Sequence, residues 1–354
     1  MANYETINVR RDDVAPYTID PKQGSGPSNR TTRSPGSRGG RTAVYVAIVL
    51  ATIIAGAGYK LRHDGVFACD AAGYSAERYL AYCQASNYGD YDYGAFWYGL
   101  EPSITDAAAR ADVLFLGNSR LQFGISTDAT VRWFKSNSES FYLLGFAYDG
   151  NLGFAAPLLQ RLQPRARVYV ISVDQFFREP LTPPAQAVMR DSSSRPRYGE
   201  KRFWQLAHRS ICTRSPGLCG HEPAFFRNRS NGTWVVAGGH WAATPAVTYT
   251  DTVNHTQLDG YLSVGRKFLS QLPAQKECVL FTVLPKAAGT PGTELGTARA
   301  LAAELGVPFV SPQIEGLRTF DGSHLDRQSA ERWSAAFMDS AAPLIRKCLT
   351  QSPV

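Results

Sequence analysis

The sequence predicts an α/β fold, built on a doubly wound parallel sheet and preceded by one transmembrane helix. Short apolar runs alternate with amphipathic stretches along the carboxyl-terminal part of the 354-residue chain. Such runs are typical of strands buried on both faces of a parallel sheet, and the alternation indicates helical crossover connections between them. Ahead of this pattern, an uncharged apolar stretch follows a long polar leader.

The leader, residues 1–41, is rich in Arg, Ser, Gly and Pro and has no sustained apolar run. Such a composition cannot bury enough apolar surface to offset the entropy of an ordered chain. It therefore predicts a disordered tail, which the orientation argued below places in the cytoplasm.

Residues 42–59 contain no charged side chain, and their number is close to the lower limit of about 17 to 25 residues for a membrane-spanning helix. A cleaved signal peptide is the alternative, because Ala55-Gly56-Ala57 has the form of a cleavage site. The leader is much longer than that of a signal peptide, which favours an uncleaved anchor. Arginines on the tail side predict a cytoplasmic amino terminus and an exported, periplasmic or extracytoplasmic carboxyl-terminal part. Basic residues just after the stretch oppose this orientation.

Six cysteines all follow the apolar stretch, and an even number in an exported chain predicts disulfides. Pairing of near neighbours gives Cys69–Cys83 and Cys212–Cys219, which leaves Cys278 with Cys348. Sequence alone does not fix this connectivity, and buried free thiols are the alternative. The cysteines and histidines show no zinc-ligand spacing, so neither a metal nor another cofactor is predicted.

Residues 60–110 form a lead-in segment that is rich in tyrosine between Tyr74 and Tyr98. Large aromatic side chains most often pack into a core or over a domain as a collar. Contact with the faces of sugar rings is the alternative function for the same side chains.

The pattern of strands and helices begins after the lead-in, so a single domain is predicted over residues 111–350. The predicted strands are Val113–Leu116, Phe141–Phe146, Val168–Val173, Val279–Leu284 and Val307–Val310. The predicted helices are Thr127–Lys135, Phe154–Leu162, Leu262–Leu272, Thr293–Leu305 and Asp326–Cys348.

Ser119 follows the first of these strands, in the sequence Gly117-Asn118-Ser119, before a helix-like stretch that begins near Ser126. A serine there lies at the carboxyl end of a strand, where open α/β sheets place their ligands. Gly117 allows the sharp turn that keeps such a serine exposed. Gly-x-Ser after an apolar run is common, and a helix cap is the alternative role.

Asp321 and His324 stand three residues apart in Asp-Gly-Ser-His-Leu, immediately before the last predicted helix. A carboxylate at this spacing can hold one imidazole nitrogen, fix the tautomer of the ring and stabilise its protonated form. The alternative is that Asp321 caps the last helix and His324 is a surface residue.

The serine block and the Asp-x-x-His block together resemble those of SGNH, or GDSL-type, hydrolases. The resemblance implies a three-layer α/β/α, flavodoxin-like sheet, with Ser119 as nucleophile, His324 as base and Asp321 as the residue that orients it. It also implies that the amide of Gly145, after the second strand, helps to bind the oxyanion. Asn118 stands where the family has aspartate.

The asparagine that supplies a third oxyanion donor in this family is absent after the third strand, where the chain reads Val173-Asp174-Gln175. Asn151 or Gln175 is the possible replacement, or the site has no third donor. These departures are similar to those of a divergent branch: the membrane-anchored SGNH-like proteins that acylate or deacylate surface polysaccharides, such as alginate O-acetyltransferases and the teichoic-acid D-alanyl transfer protein.

That branch implies an O-acyltransferase or carboxylesterase that acts on a polysaccharide, beside a multipass membrane acyltransferase that supplies acyl groups. A non-catalytic, glycan-binding or scaffold role is the alternative. The net charge of +7 comes from scattered basic residues without an aromatic-basic stripe, so no nucleic-acid partner is predicted.

The interval 178–260 is long for a connection and predicts an insertion between the third and fourth strands. Loops at the carboxyl edge of a sheet carry specificity, so an acceptor-sugar groove is expected there. The insertion contains Trp and His residues without metal spacing: Trp204, His208, His221, Trp234, His240, Trp241 and His255.

Overall fold

The computed structural model describes residues 38–85, 88–191, 193–239 and 245–350. The described part of the chain divides into two units, with the boundary between Thr52 and Ile53 within the first helix. Most of the predicted disordered tail lies outside the described residues, as do His240 and Trp241.

Eleven α-helices and nine strands are found in the described ranges. The helices are α1 Arg38–His63, α2 Tyr91–Tyr98, α3 Ile104–Arg110, α4 Ser119–Ile125, α5 Asp128–Asn137, α6 Leu152–Leu162, α7 Pro183–Met189, α8 Ser194–Cys212, α9 His255–Leu269, α10 Leu295–Leu305 and α11 Arg327–Thr350. The strands are β1 Arg78–Cys83, β2 Val113–Asn118, β3 Phe141–Phe146, β4 Val168–Ser172, β5 Ala224–Asn228, β6 Trp234–Ala237, β7 Val247–Thr248, β8 Val279–Thr282 and β9 Lys286–Ala287.

Four parallel strands form the central sheet in the order β3-β2-β4-β8. These are four of the five predicted strands, and the mixed α/β class is confirmed. The fifth prediction, Val307–Val310, is wrong as a full strand, since it meets β8 only through a bridge between Phe309 and Phe281. Pro308 lacks an N–H group, so it cannot extend the ladder.

Both faces of the central sheet are buried, because successive side chains of a strand point to opposite sides. Leu114 and Leu116 of β2 belong to one apolar cluster, which includes residues of α6, α9 and α10. Val113 and Phe115 belong to a second cluster, which includes residues of α5 and α11. The uninterrupted apolar run of β2 follows from this double burial.

A second, antiparallel sheet has the order β1-β5-β6. It joins the lead-in segment, which contributes β1, to the insertion, which contributes β5 and β6. Tyr79, Tyr91 and Tyr93 are at most 1% exposed, so the packing interpretation of the tyrosine-rich segment is confirmed for these residues.

A buried ion pair lies between the two sheets. The Arg227 guanidinium on β5 contacts the Asp92 carboxylate on α2 at 2.6 Å and also donates to the carbonyl oxygens of Leu143 and Gly145 on β3. Arg227 is fully buried. Breaking such a pair leaves an uncompensated buried charge at a cost of about 3–5 kcal/mol.

The apolar helix α1 contains a 22-residue stretch, Thr42–His63, whose most apolar 18 residues have a mean hydropathy of 1.9. At 1.5 Å rise per residue this stretch is about 33 Å long, enough to cross a hydrocarbon core about 30 Å thick. The described side chains up to Gly56 are exposed. The helix therefore suits a membrane anchor or a signal sequence, and it begins within the predicted tail and continues past the predicted end at residue 59.

Three disulfides join Cys69 to Cys83, Cys212 to Cys219 and Cys278 to Cys348. The pairing predicted from the sequence is confirmed, and the described chain has no free cysteine. The third bridge connects the start of β8 to α11, which follows the His324 loop directly.

Candidate active site

Ser119 lies at the carboxyl edge of the central sheet, as the first residue of α4 directly after β2. The side chain of Asn118 accepts a hydrogen bond from the Arg120 amide at 3.0 Å and caps this helix. This short helix was not predicted from the sequence, whereas the helix predicted near Ser126 corresponds to α5, which begins at Asp128 with Thr127 as its cap. A capping asparagine satisfies one of the amides left unpaired at a helix start.

His324 brings the far end of the sequence to this serine. Its Nε2 atom lies 2.8 Å from the Ser119 Oγ, and its Nδ1 atom lies 2.7 Å from the Asp321 carboxylate. The side chain of His324 is 17% exposed, so part of it is open to solvent. The three predicted residues are thus brought together in hydrogen-bond contact.

The Asp321 carboxylate is held by its own loop as well as by the imidazole. It accepts hydrogen bonds from the amides of Ser323 and His324 at 2.9 and 2.8 Å. Partial burial tends to raise the pKa of Asp321, but the hydrogen bonds and charge of His324, with the two amides, lower this pKa below its usual value. The carboxylate therefore stays ionised and keeps the His324 Nδ1 atom protonated, which leaves Nε2 to accept the serine proton.

A buried network fixes the serine loop to the histidine loop. Arg120 donates to the Ser323 hydroxyl at 2.9 Å, to the Asp174 carboxylate at 2.6 Å and to a carbonyl in the loop before α10. Asn118 donates to the same Asp174 carboxylate at 3.1 Å, whose other oxygen accepts from the Thr293 amide at 2.7 Å. Asp174 is 1% exposed and Arg120 is 7% exposed.

Sequence reasoning missed the role of this network. The available signals were an arginine next to the serine and an aspartate just after β4. In the sequence, Asp174 is distinguished only by its position beside the missing asparagine.

Gly145 lies inside β3, opposite Gly117 of β2. A Cβ atom at Gly145 would stand 2.6 Å from the Asn118 carbonyl oxygen. The close approach of β3 to the serine loop therefore requires glycine at this position.

Asn151 and Gln175, the two candidates for a third oxyanion donor, are engaged elsewhere. Asn151 caps α6 by accepting from the Gly153 amide at 3.1 Å, and it donates to the Pro180 carbonyl at 2.9 Å. The side chain of Gln175 accepts from Arg178 at 2.7 Å. Neither side chain is directed to Ser119 by these contacts.

Aromatic rings surround one side of the His324 imidazole. Phe320 stacks on it at a centroid distance of 5.5 Å, and Phe123 approaches it at 4.7 Å. Phe123 in turn packs against Phe225 and Trp234 of the second sheet at 5.2 and 5.8 Å. This aromatic wall holds the imidazole in place, and both the insertion and α4 contribute to it.

His208, one of the histidines of the insertion, is held in a buried hydrogen-bonded position away from Ser119. His208 is fully buried, with Nε2 at 3.1 Å from the Cys69 carbonyl and Nδ1 at 3.0 Å from the Tyr74 hydroxyl. Since a carbonyl can only accept, Nε2 carries the proton and Nδ1 accepts from the tyrosine. Burial lowers the pKa of His208 to about 4.

Two cysteines lie near this histidine, with potential ligand atoms within 4.8 Å of one another. The two sulfurs, of Cys212 and Cys219, are joined in a disulfide. They are therefore not thiolates that could bind a metal ion.

Comparisons of the chain with protein-family models, with curated proteins and with solved structures give no match. The interpretation of the site therefore depends on its geometry and on the two sequence blocks that form it.

Proposed function

We propose that the protein is a membrane-anchored serine acyltransferase or esterase that acts on O-acyl groups of an exported polysaccharide. The observation that carries this proposal is the continuous hydrogen-bonded line from Asp321 through His324 to Ser119, with distances of 2.7 and 2.8 Å. A nucleophile within reach of a base that a third group orients is the arrangement that covalent catalysis by serine requires.

In the first half-reaction His324 Nε2 takes the proton from Ser119 Oγ while this oxygen attacks the carbonyl carbon of an acyl ester or thioester. The tetrahedral intermediate then collapses, and the bond from the carbonyl carbon to the leaving group breaks. His324 gives its proton to the departing oxygen or sulfur. The product is an acyl-serine.

In the second half-reaction a sugar hydroxyl loses its proton to His324 and attacks the acyl-serine, which gives transfer to the polysaccharide. Water in the same position gives hydrolysis. Ser119 leaves with the proton from His324, so the enzyme returns to its starting state in both cases.

The amides of Ser119 and Gly145 are proposed to bind the oxyanion. Ser119 is the first residue of α4, where amides have no acceptor within the helix. Gly145 lies directly beside the serine loop. A donor of this kind is worth about 3 kcal/mol in the transition state.

The sequence resemblance, together with a parallel sheet whose faces are both buried, supports an SGNH-like, three-layer α/β/α arrangement. The three disulfides support export of the domain to an oxidising compartment. With α1 as the anchor, the amino terminus is then cytoplasmic and Ser119 faces the exported side.

A polysaccharide acceptor is supported by the aromatic wall next to His324, since aromatic faces suit the apolar faces of sugars. Phe123 and Phe320 are each half-buried, which leaves part of both rings accessible. A multipass membrane acyltransferase that supplies acyl groups is the partner implied by the resemblance.

The test is labelling of the purified full-length protein with a serine-directed fluorophosphonate, followed by peptide mapping. We expect covalent modification at Ser119 and none in Ser119→Ala. Release of acetate from a chromogenic ester and transfer of acetyl to oligosaccharides then distinguish hydrolysis from transfer. If the wild-type protein is not labelled and shows activity in neither assay, the proposal that it is an enzyme is contradicted. If this inactive protein still binds glycan, a scaffold role is favoured instead.

A further inference from the structure

Helix α8 presents an apolar face to solvent. Its inner face is buried through Tyr198, Gln205, His208 and Cys212. Its outer face carries four exposed large apolar side chains: Phe203 (61%), Trp204 (44%), Leu206 (54%) and Ile211 (37%). A surface helix of a soluble protein normally has polar side chains on its outer face, so a concentration of this kind marks an interaction surface.

Basic side chains flank this apolar face. Between residues 194 and 214 the chain contains five arginines and one lysine but only one acidic residue, Glu200: the arginines are Arg195, Arg197, Arg202, Arg209 and Arg214. Lys201 and Arg197 are turned to Asp90, while Arg195 and Arg214 are exposed. An amphipathic helix with aromatic residues on one face and arginines around it is typical of helices that lie on anionic membranes.

Trp204, on the apolar face of α8, lies across a cavity from the end of α1. A Cβ atom on Gly58 of α1 would lie 3.5 Å from the side chain of Leu218, just after α8, and Leu218 is itself exposed. Ala57 and Leu61 of α1 and Trp204 of α8 line one cavity of about 1120 Å³, which is mostly apolar. The two helices therefore share a surface at the point where α1 ends.

We propose that α8 lies in the headgroup layer of the membrane that α1 spans, with Phe203, Trp204, Leu206 and Ile211 directed into an anionic bilayer. This inference depends on the membrane anchor of the proposed function, but not on catalysis. It fixes the domain to the membrane at two places, by α1 and by α8, and so restricts its rotation about the anchor.

The experiment uses the full-length protein in vesicles of phosphatidylcholine and phosphatidylglycerol that contain lipids brominated near the headgroup. Trp204 is one of six tryptophans, so the difference between wild type and Trp204→Phe isolates its emission. We expect this emission to be quenched by the brominated lipid and protected from acrylamide. We also expect weaker quenching in vesicles of phosphatidylcholine alone.

The matched control is Val131→Trp in the Trp204→Phe background. Val131 lies on α5 and is 37% exposed. The emission of the introduced tryptophan should be quenched by acrylamide and not by brominated lipid. If Trp204 behaves like this control in the vesicles, the proposal is overturned, and a protein partner becomes the favoured occupant of the surface. Equal quenching with and without phosphatidylglycerol overturns the preference for anionic lipid.

Extraction at alkaline pH separates this inference from the anchor. A protein that leaves the vesicles on extraction has no anchor, which overturns the topology of the proposed function and this inference together. A protein that stays in the vesicles while Trp204 remains in water overturns only the membrane contact of α8.

Discussion

Arg120 and Ser323 are hydrogen-bonded at 2.9 Å although 203 positions separate them in the sequence. Each is the direct neighbour of a residue of the candidate triad, Ser119 in the first case and His324 in the second. The bond thus ties together the two loops whose relative position sets the distance between Oγ and Nε2. Asp174 completes the connection by holding the Arg120 guanidinium from the end of β4.

Replacement of Arg120 by Lys should reduce kcat by about a hundredfold, with a smaller effect on KM, because a shift of about 1 Å in the reacting groups is costly. Lysine keeps the charge beside Asp174 but cannot reach several acceptors at once. The measurements are ester turnover and the rate of fluorophosphonate labelling, at matched thermal midpoints. Arg132→Lys is the control, since Arg132 pairs with Glu331 at the surface. Full activity of Arg120→Lys would show that the network does not position the triad.

Ser119→Ala and His324→Ala should each abolish nearly all triad-dependent activity, and the double variant should lose little more than either single one. Each single loss is expected to be about 10⁶-fold, whereas Asp321→Asn should lose about 10⁴-fold because both reacting groups remain. Initial rates of acyl release measure these effects. The exposed Ser136→Ala is the matched control. Additive losses for Ser119 and His324 would contradict their action as one unit.

Removal of the Cys278–Cys348 bridge should destabilise the protein more than removal of Cys212–Cys219. The Cys278–Cys348 bridge joins residues 70 positions apart, whereas the Cys212–Cys219 bridge joins residues 7 positions apart. The chain-entropy relation gives about 4 kcal/mol for the larger loop and about 2 kcal/mol for the smaller. Denaturant unfolding of the two double-serine variants measures the difference. If both variants lose the same free energy of unfolding, loop length does not determine the stabilisation by these bridges. If Cys278 and Cys348 are free thiols in the wild-type protein, the bridge does not exist and the prediction is wrong.

Stability should fall as the pH falls from about 6.5 to 4, partly because of His208. Its pKa in the folded protein is lowered to about 4 from an ordinary value of 6.5, chiefly by burial. The unfolded chain therefore binds more protons in this window, and unfolding becomes easier by up to about 3 kcal/mol as acid is added. The free energy of unfolding, measured with urea at several pH values in this range, should depend less steeply on pH for His208→Gln than for wild type. His221→Gln is the control, because His221 is exposed. If His208→Gln has the same pH dependence of the free energy of unfolding as wild type, this dependence does not come from His208.

Local signals in the sequence were sufficient for several features. The apolar runs of β2, β3, β4 and β8 predicted the central sheet. The spacing of the cysteines suggested the two short bridges and left Cys278 with Cys348, although it did not fix the connectivity. The Asp321 and His324 pair was recognisable because both residues lie on one short loop.

The remaining features depend on contacts between distant segments. The carboxylate of Asp174 can be assigned to Arg120 only when β2 and β4 are known to be neighbours. The aromatic wall could not be predicted for the same reason, since Phe123 lies on α4 and Phe225 lies on β5. Asn118, which differs from the aspartate of the family that the sequence resembles, caps α4 and donates a hydrogen bond to Asp174, a contact that the sequence alone did not show.

In the proposed mechanism, the separation of Ser119 from His324 also determines when in its synthesis the protein can become reactive. The two residues are 205 positions apart, which corresponds to about 10 to 40 s of synthesis at about 5–20 residues per second. Throughout this interval the serine exists without its base. In that mechanism Ser119 stays unreactive until the segment that carries His324 has been synthesised and has folded against it.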